Sequence, residues 1–236
     1  MYMKCNVWLM KKLIPVFLLL YVLLFGCSIS HEDQKTSEGT IFYKIAYSHP
    51  QTLDVPQELL PGIMVMKFNN RYTNSTIEGF MGLFSISIVS DLKETRSTTM
   101  LKIFDKKYYY QGAVGATPGY PENPGTIKIT PLDEEKIIAG VKCKKALIEY
   151  TDQEIKPFNV YYTTEIGPKH PNINNPYHEL PGVLMEFDLS IGDLSMRMIA
   201  DRINMNAGSK NDFSIPENYK PISENKMKEL IDTLLD

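Results

Sequence analysis

The sequence predicts a mainly β, α+β domain: many antiparallel strands in one sheet, with a single C-terminal helix packed on it. Three observations carry this expectation. Apolar and polar residues alternate in short runs over most of residues 40–205, the period of a half-buried strand. Turn-forming pairs such as Asn69-Asn70, Ala139-Gly140 and Pro181-Gly182 separate the runs. Only near the end, at Met227, Leu230, Ile231 and Leu234, does the spacing become i, i+3, i+4 and i+7, the apolar stripe of a helix. No repeat and no shift in composition divides residues 40–236, so one domain is expected there.

In chain order, Ile41, Tyr43, Ile45 and Tyr47 alternate with Phe42, Lys44 and Ala46, which makes a first strand. Residues 48–62 hold three prolines and read as a loop or short helical turn. Residues 63–68 are a second apolar run, Asn69-Asn70 a hairpin turn, and 72–80 a polar, Thr-rich strand. In 83–89, Phe84, Ile86 and Ile88 share one face, Ser85 and Ser87 the other. Residues 98–104 and 107–111 are strands about a turn at Asp105-Lys106. Residues 112–125 are a Gly- and Pro-rich loop. Its glycines match neither dinucleotide-binding nor phosphate-loop spacing, and no helix pattern follows.

Short strands at 126–130 and 135–138 lead through Ala139-Gly140 to strands at 142–150 and 158–164. Residues 167–180 read as a solvated loop. In the next strand Val183, Met185, Phe187 and Leu189 face one way and Leu184, Glu186 and Asp188 the other. After a turn at 191–193, the last strand, 194–205, sets Met196, Met198 and Ala200 opposite Arg197, Ile199 and Asp201. Ser223 is the expected helix N-cap, with Glu224 in the first turn.

The N-terminus carries an address. Lys11 and Lys12 precede an uncharged apolar run over 13–25, which ends Leu24-Phe25-Gly26-Cys27. That end resembles a lipobox, in which a secretory signal (residues 1–26) is cut before a Cys that is then lipidated. The alternative of an uncleaved anchor is disfavoured by the run's length, since spanning a bilayer takes about 20 residues. Lipidation at Cys27 implies a membrane-anchored protein of the cell envelope, expected at the outer membrane on its periplasmic or its surface face. Several acyl chains hold such an anchor stably where one does not. The rest of 27–39 is polar and reads as a flexible tether. Glu32 and Asp33 resemble a surface-export signal, and in so polar a tether they also arise by composition alone.

Lys4, Lys11 and Lys12 are the only charged residues before Cys27, so of 25 basic and 28 acidic residues 22 and 28 remain, a net charge of −6. An acidic body without an Lys/Arg-rich patch argues against nucleic acid as a partner. Of the 3 Cys, Cys5 leaves with the signal and Cys27 takes the lipid. Cys143 then stands alone in a strand, and a buried inert thiol is expected there.

No chemistry-bearing constellation stands out. His31 falls in the tether and His49 in a loop, and no Gly-x-Ser-x-Gly occurs. His170 and His178 share the 167–180 loop with Glu165 and Glu179 nearby, a donor set for zinc but with no recognised spacing. The expectation is a non-catalytic protein with no metal and no cofactor. Lys142, Lys144 and Lys145 read as a solvated strand edge. Tyr43, Met64, Met66, Phe84, Met185, Met196 and Met198, with Phe104 and Tyr109, make the strand faces rich in Met and aromatics. They are the candidate lining for an apolar or lipid ligand, since Met adapts to a floppy chain; the competing reading is an ordinary filled core.

Three segments carry a family resemblance: Val141-Lys142-Cys143-Lys144-Lys145-Ala146, then Tyr162-Thr163 with Glu165-Ile166, then Leu180-Pro181-Gly182-Val183-Leu184. Together they resemble the GLPGLI family of secreted proteins and lipoproteins of the Bacteroidetes kind. Glu179 stands where that family has its first Gly, and Val183-Leu184 where it has Leu-Ile. The resemblance implies a LolA/LolB-like half-barrel, a curved open antiparallel sheet around a helical element, with acyl chains held on the concave face. It implies no catalytic residues.

Overall fold

The computed structural model describes residues 38–48, 60–79, 81–115, 118, 126–151, 155–191, 194–205 and 210–235. The signal segment, Cys27 and nearly all of the tether lie outside them, as do His31, His49, most of the 48–62 loop, parts of the 112–125 loop and residues 192–193. All described residues belong to one compact unit, Lys35–Asp236.

The strands are β1 (Gly39–Tyr47), β2 (Ile63–Phe68), β3 (Tyr72–Gly79), β4 (Phe84–Asp91), β5 (Arg96–Ile103), β6 (Lys106–Ala113), β7 (Ile127–Ile138), β8 (Val141–Tyr150), β9 (Phe158–Thr163), β10 (Val183–Ile191), β11 (Leu194–Asn204) and β12 (Lys220–Pro221). They form one open 12-stranded sheet in the order β12-β6-β5-β4-β3-β2-β1-β11-β10-β9-β8-β7. Every pair is antiparallel except β12 with β6, so the sheet is mixed. The helix α1 (Glu224–Leu235) follows β12.

Directly opposed residues share a face, so register decides the inside. Tyr43, Met64, Ile77, Ile86, Leu101 and Tyr108 oppose one another in turn across β1 to β6. The same inner face continues through Met198 and Phe187 on β11 and β10 and carries one contiguous core. The alternation in the sequence maps onto this face because a strand's side-chain period is 2.

Several sequence expectations are corrected. The segments 126–130 and 135–138 are one strand, β7, bent by a bulge between Leu132 and Glu135. β7 is the edge, and β8 with Lys142, Lys144 and Lys145 lies between β7 and β9. Two of those lysines serve that pairing: Lys142 meets Glu135, and Lys145 meets Glu134, at 2.9 Å each. The edge itself is blunted by Pro131, the bulge and an acidic run. The β5–β6 turn sits at Phe104 and Asp105, and Lys106 already belongs to β6.

β11 is not the last strand. After it, a one-turn 3-10 helix, Lys210–Phe213, lies on the outer face of β2 and β3. Asn74 donates to the Asp212 carbonyl at 2.5 Å, and Phe213 stacks on Tyr72 at 5.5 Å. The chain then passes the β6 edge as β12 and turns inward as α1. Met227 and Ile231 of α1 are buried in the core, and the Tyr110 hydroxyl donates to Glu224 at 2.8 Å. The Lys226 N–H donates to the Ser223 hydroxyl at 3.3 Å, the expected N-cap.

Candidate functional site

The candidate site lies where the chain between β9 and β10 meets the inner face. Residues 167–180, expected to be solvated, are half interior: Pro171, Asn172, Tyr177 and Leu180 are buried. Asn172 explains how so polar a segment can go inside. Its side-chain amide donates to the carbonyls of Leu180 at 3.0 Å and Gly182 at 2.9 Å, while the Gly182 N–H donates to Lys169 at 2.9 Å. The loop thus meets its buried backbone groups from within. Tyr177 donates to the Asp188 carbonyl at 2.7 Å and sets its ring edge-on to Phe187, 6.2 Å away. Burial pushes the Tyr177 hydroxyl's pKa well up, so it remains a donor.

The loop returns to the sheet through Pro181-Gly182. Gly182 has a φ of +81°, and a Cβ there would lie 2.1 Å from the Thr163 carbonyl oxygen of β9. Only glycine fits both the left-handed backbone and that close approach.

Between loop and sheet lies a cavity of about 70 Å³. Its apolar lining includes Tyr43, Met64, Met66, Ile77, Ile86, Leu184, Phe187, Leu189 and Ile191. Its polar lining is uncharged, with Thr73, Ser75 and Ser90 from the sheet and Asn172, Asn174 and Asn175 from the loop. Tyr43 donates to the Leu184 carbonyl at 2.8 Å.

Of the residues expected to line a ligand site, Tyr43, Met64 and Met66 border this cavity. Met185, Met196 and Met198 do not. They are buried in the core, Met185 at the bulge between Leu184 and Glu186. Phe84 lies at the far end of β4 with its ring over Gly79. Phe104 is a turn residue, 64% exposed, and Tyr109 opposes Met100 on the outer face. His170 and His178 point to solvent, away from the buried half of their loop. Cys143 is fully buried, and desolvation pushes its thiol up to about 11.

The sequence did not disclose the hydroxyls. Phe68, Thr73, Ser90, Ser97 and Gly112 form one inner-face row, and Met66, Ser75, Ile88, Thr99 and Tyr110 the next. Five hydroxyl side chains therefore adjoin on three neighbouring strands. Hydroxyls recurring at every second position in β3 and β5 were the available signal, but only register joins them.

A cluster of charges lies on the outer face of β10 and β11. Arg197 donates to Glu186 and Asp188, at 2.8 Å each, and Lys136 reaches Glu186 at 2.9 Å. Burial raises the Glu186 carboxyl, but its hydrogen bonds from Arg197 and Lys136 outweigh that and hold it below the ordinary value. For Asp188 burial wins, and its pKa rises. These groups neutralise one another around Arg197, and Lys136 lies 4.9 Å from the Tyr161 ring, so the cluster ties β7, β9, β10 and β11 together. No family model and no curated protein matches the chain.

Proposed function

We propose that this protein is a non-catalytic lipoprotein of the cell envelope, anchored through Cys27, that holds an apolar or lipid ligand between its inner sheet face and the 167–180 loop. The observation that carries this reading is the cavity under that loop, with Tyr43, Met64 and Met66 in its lining. Its volume of about 70 Å³ is roughly half that of a cavity that accepts benzene, ~150 Å³. A longer chain therefore enters only as the loop moves outward. Among the described residues, polar bonds from 173–176 to β4 and to the turn after β6 run through Asn174 alone, which meets Ser90 at 2.5 Å and the Gly115 N–H at 3.3 Å. Movement there costs little polar bonding. We propose further that the chain is a GLPGLI-type protein with a LolA-like half-barrel; the conformational demand on Gly182 gives the shared Pro-Gly a physical reason.

A second reading is a structural or adaptor module with a filled core, favoured by Met185, Met196, Met198 and Met227, all 0–2% exposed. Solvent extraction and mass spectrometry of the full chain purified from its own cells separate the two. A non-covalent lipid near one per chain supports the ligand reading; its absence leaves the filled core. Labelled palmitate entering wild type and not Cys27→Ser tests the anchor, and label in both rejects it.

A further inference from the structure

We infer that the ligand of the inner face is an amphiphile with an uncharged hydrogen-bonding head, of the neutral glyceride class, and not a free fatty acid or a phospholipid. The inference rests on the apolar-ligand reading above and adds the selection of the head. It starts from the hydroxyls. Ser97 and Thr99 are 2% and 1% exposed, yet neither hydroxyl has a hydrogen-bond partner among the described residues. Leaving a buried hydroxyl unmet is costly, and native interiors seldom tolerate it. Both sit beside cavity-lining neighbours: Ser97 opposes Ser90, and Thr99 opposes Ile88. Thr73 and Ser75 open directly onto the space. The result is a ladder of hydroxyl donors and acceptors on the sheet side of a chamber whose remaining polar lining is the uncharged Asn172, Asn174 and Asn175.

The kind of head follows from charge. No charged side chain borders the cavity among the described residues. Glu186, Asp188 and Arg197 lie on the other face of the sheet, bound to one another. A carboxylate or phosphate placed at the ladder would be a buried charge without a partner, which is strongly disfavoured. A glycerol hydroxyl or ester carries no such cost: it meets Thr73, Ser75 and Ser90 on the cavity, with the unpaired Ser97 and Thr99 one strand further along the same rows. Its chain then lies along Tyr43, Met64, Met66 and Ile77.

The test is native mass spectrometry of the full chain, held in solution by an amphipathic polymer, with an equimolar mixture of monoolein, oleate and oleoyl-lysophosphatidylglycerol. Monoolein adducts should exceed each charged lipid about tenfold. The preference should fall at least threefold in Thr73→Val and, separately, in Ser97→Ala with Thr99→Val; thermal melts identify any variant that fails to fold, and the other then decides. Equal or stronger oleate or lysophospholipid adducts overturn the head-group inference and leave the apolar-ligand reading standing. A monoolein preference unchanged in the folded variants overturns the role of the ladder, since hydroxyls that only hold water would behave that way. No adduct with any of the three overturns both.

Discussion

Replacing Gly182 with Ala tests the Pro-Gly corner most directly. Two costs combine there. A non-glycine residue at a φ of +81° costs about 1–2 kcal/mol. The added Cβ would also lie 2.1 Å from the Thr163 oxygen and 2.9 Å from its carbonyl carbon, and backbone cannot swing aside as a side chain tip can. Relief means shifting the start of β10 away from β9. That loosens the bond from Gly182 to Lys169 and the bond from Asn172 to Gly182, both 2.9 Å, at about 1 kcal/mol each. The sum is about 3–4 kcal/mol, a large part of a typical domain stability of about 5–15 kcal/mol. Two controls separate the costs. Gly140→Ala has a φ of +87° with open space around the new Cβ and should lose about 1–2 kcal/mol. Gly62→Ala has neither problem and should change stability by no more than about 0.5 kcal/mol. Urea unfolding of the three variants supplies the comparison. A Gly182→Ala loss within about 1 kcal/mol of the Gly140→Ala loss refutes the close-approach argument.

Asn172→Ala should cost about 2–3 kcal/mol, because two buried carbonyls lose their donor; Asn172→Asp should be no better, since a carboxylate only accepts, and urea midpoints equal to wild type would remove the loop's hub. Met198→Ala should cost about 2–5 kcal/mol at a fully buried site, whereas Met81→Ser, at 102% exposure, should be near neutral; similar melting shifts for the two would contradict the burial assignment. Arg71 grips Asp91 and holds its carboxyl at about 2, against an ordinary 3.8. A folded pKa below the unfolded one stabilises the fold above the unfolded value, and that contribution fades as pH falls from about 4 to about 2. Being near the surface it is worth less than about 1 kcal/mol. NMR titration of the Asp91 carboxyl checks it, and a midpoint near 4 speaks against the pair.

Much of the architecture was legible because the signals are local. Period-2 alternation placed most strands but split the bulged β7 in two, and the turn at Ala139-Gly140 shows the positive φ values, 48° and 87°, that Gly after a short residue suggests. The helix was legible from one stripe, of which Met227 and Ile231 are indeed buried. β12 was not, because two residues, Lys220 and Pro221, carry no period and pair only through the distant Tyr108 and Tyr109. The fate of 167–180 was hidden for a related reason. Its asparagines look solvated until Asn172 is seen to donate to Leu180 and Gly182 inside the fold.

The candidate site divides the same way. Where a strand runs without a bulge, the sequence by itself determined which side chains share a face: Met196 with Met198, Tyr43 with Ile41, Thr73 with Ser75 (in β10, expected to set Leu184 opposite Phe187, the bulge brings both onto the cavity). That is fixed by the chain's own geometry. Only the tertiary structure decided what stands opposite them. Register across β3, β4 and β5 gathered the hydroxyls into one ladder, and the loop closed Met64 and Met66 under a cavity while leaving Met185 and Met198 in solid core. Those outcomes depend on contacts between residues far apart in sequence, and no local pattern encodes which strand becomes the neighbour of which.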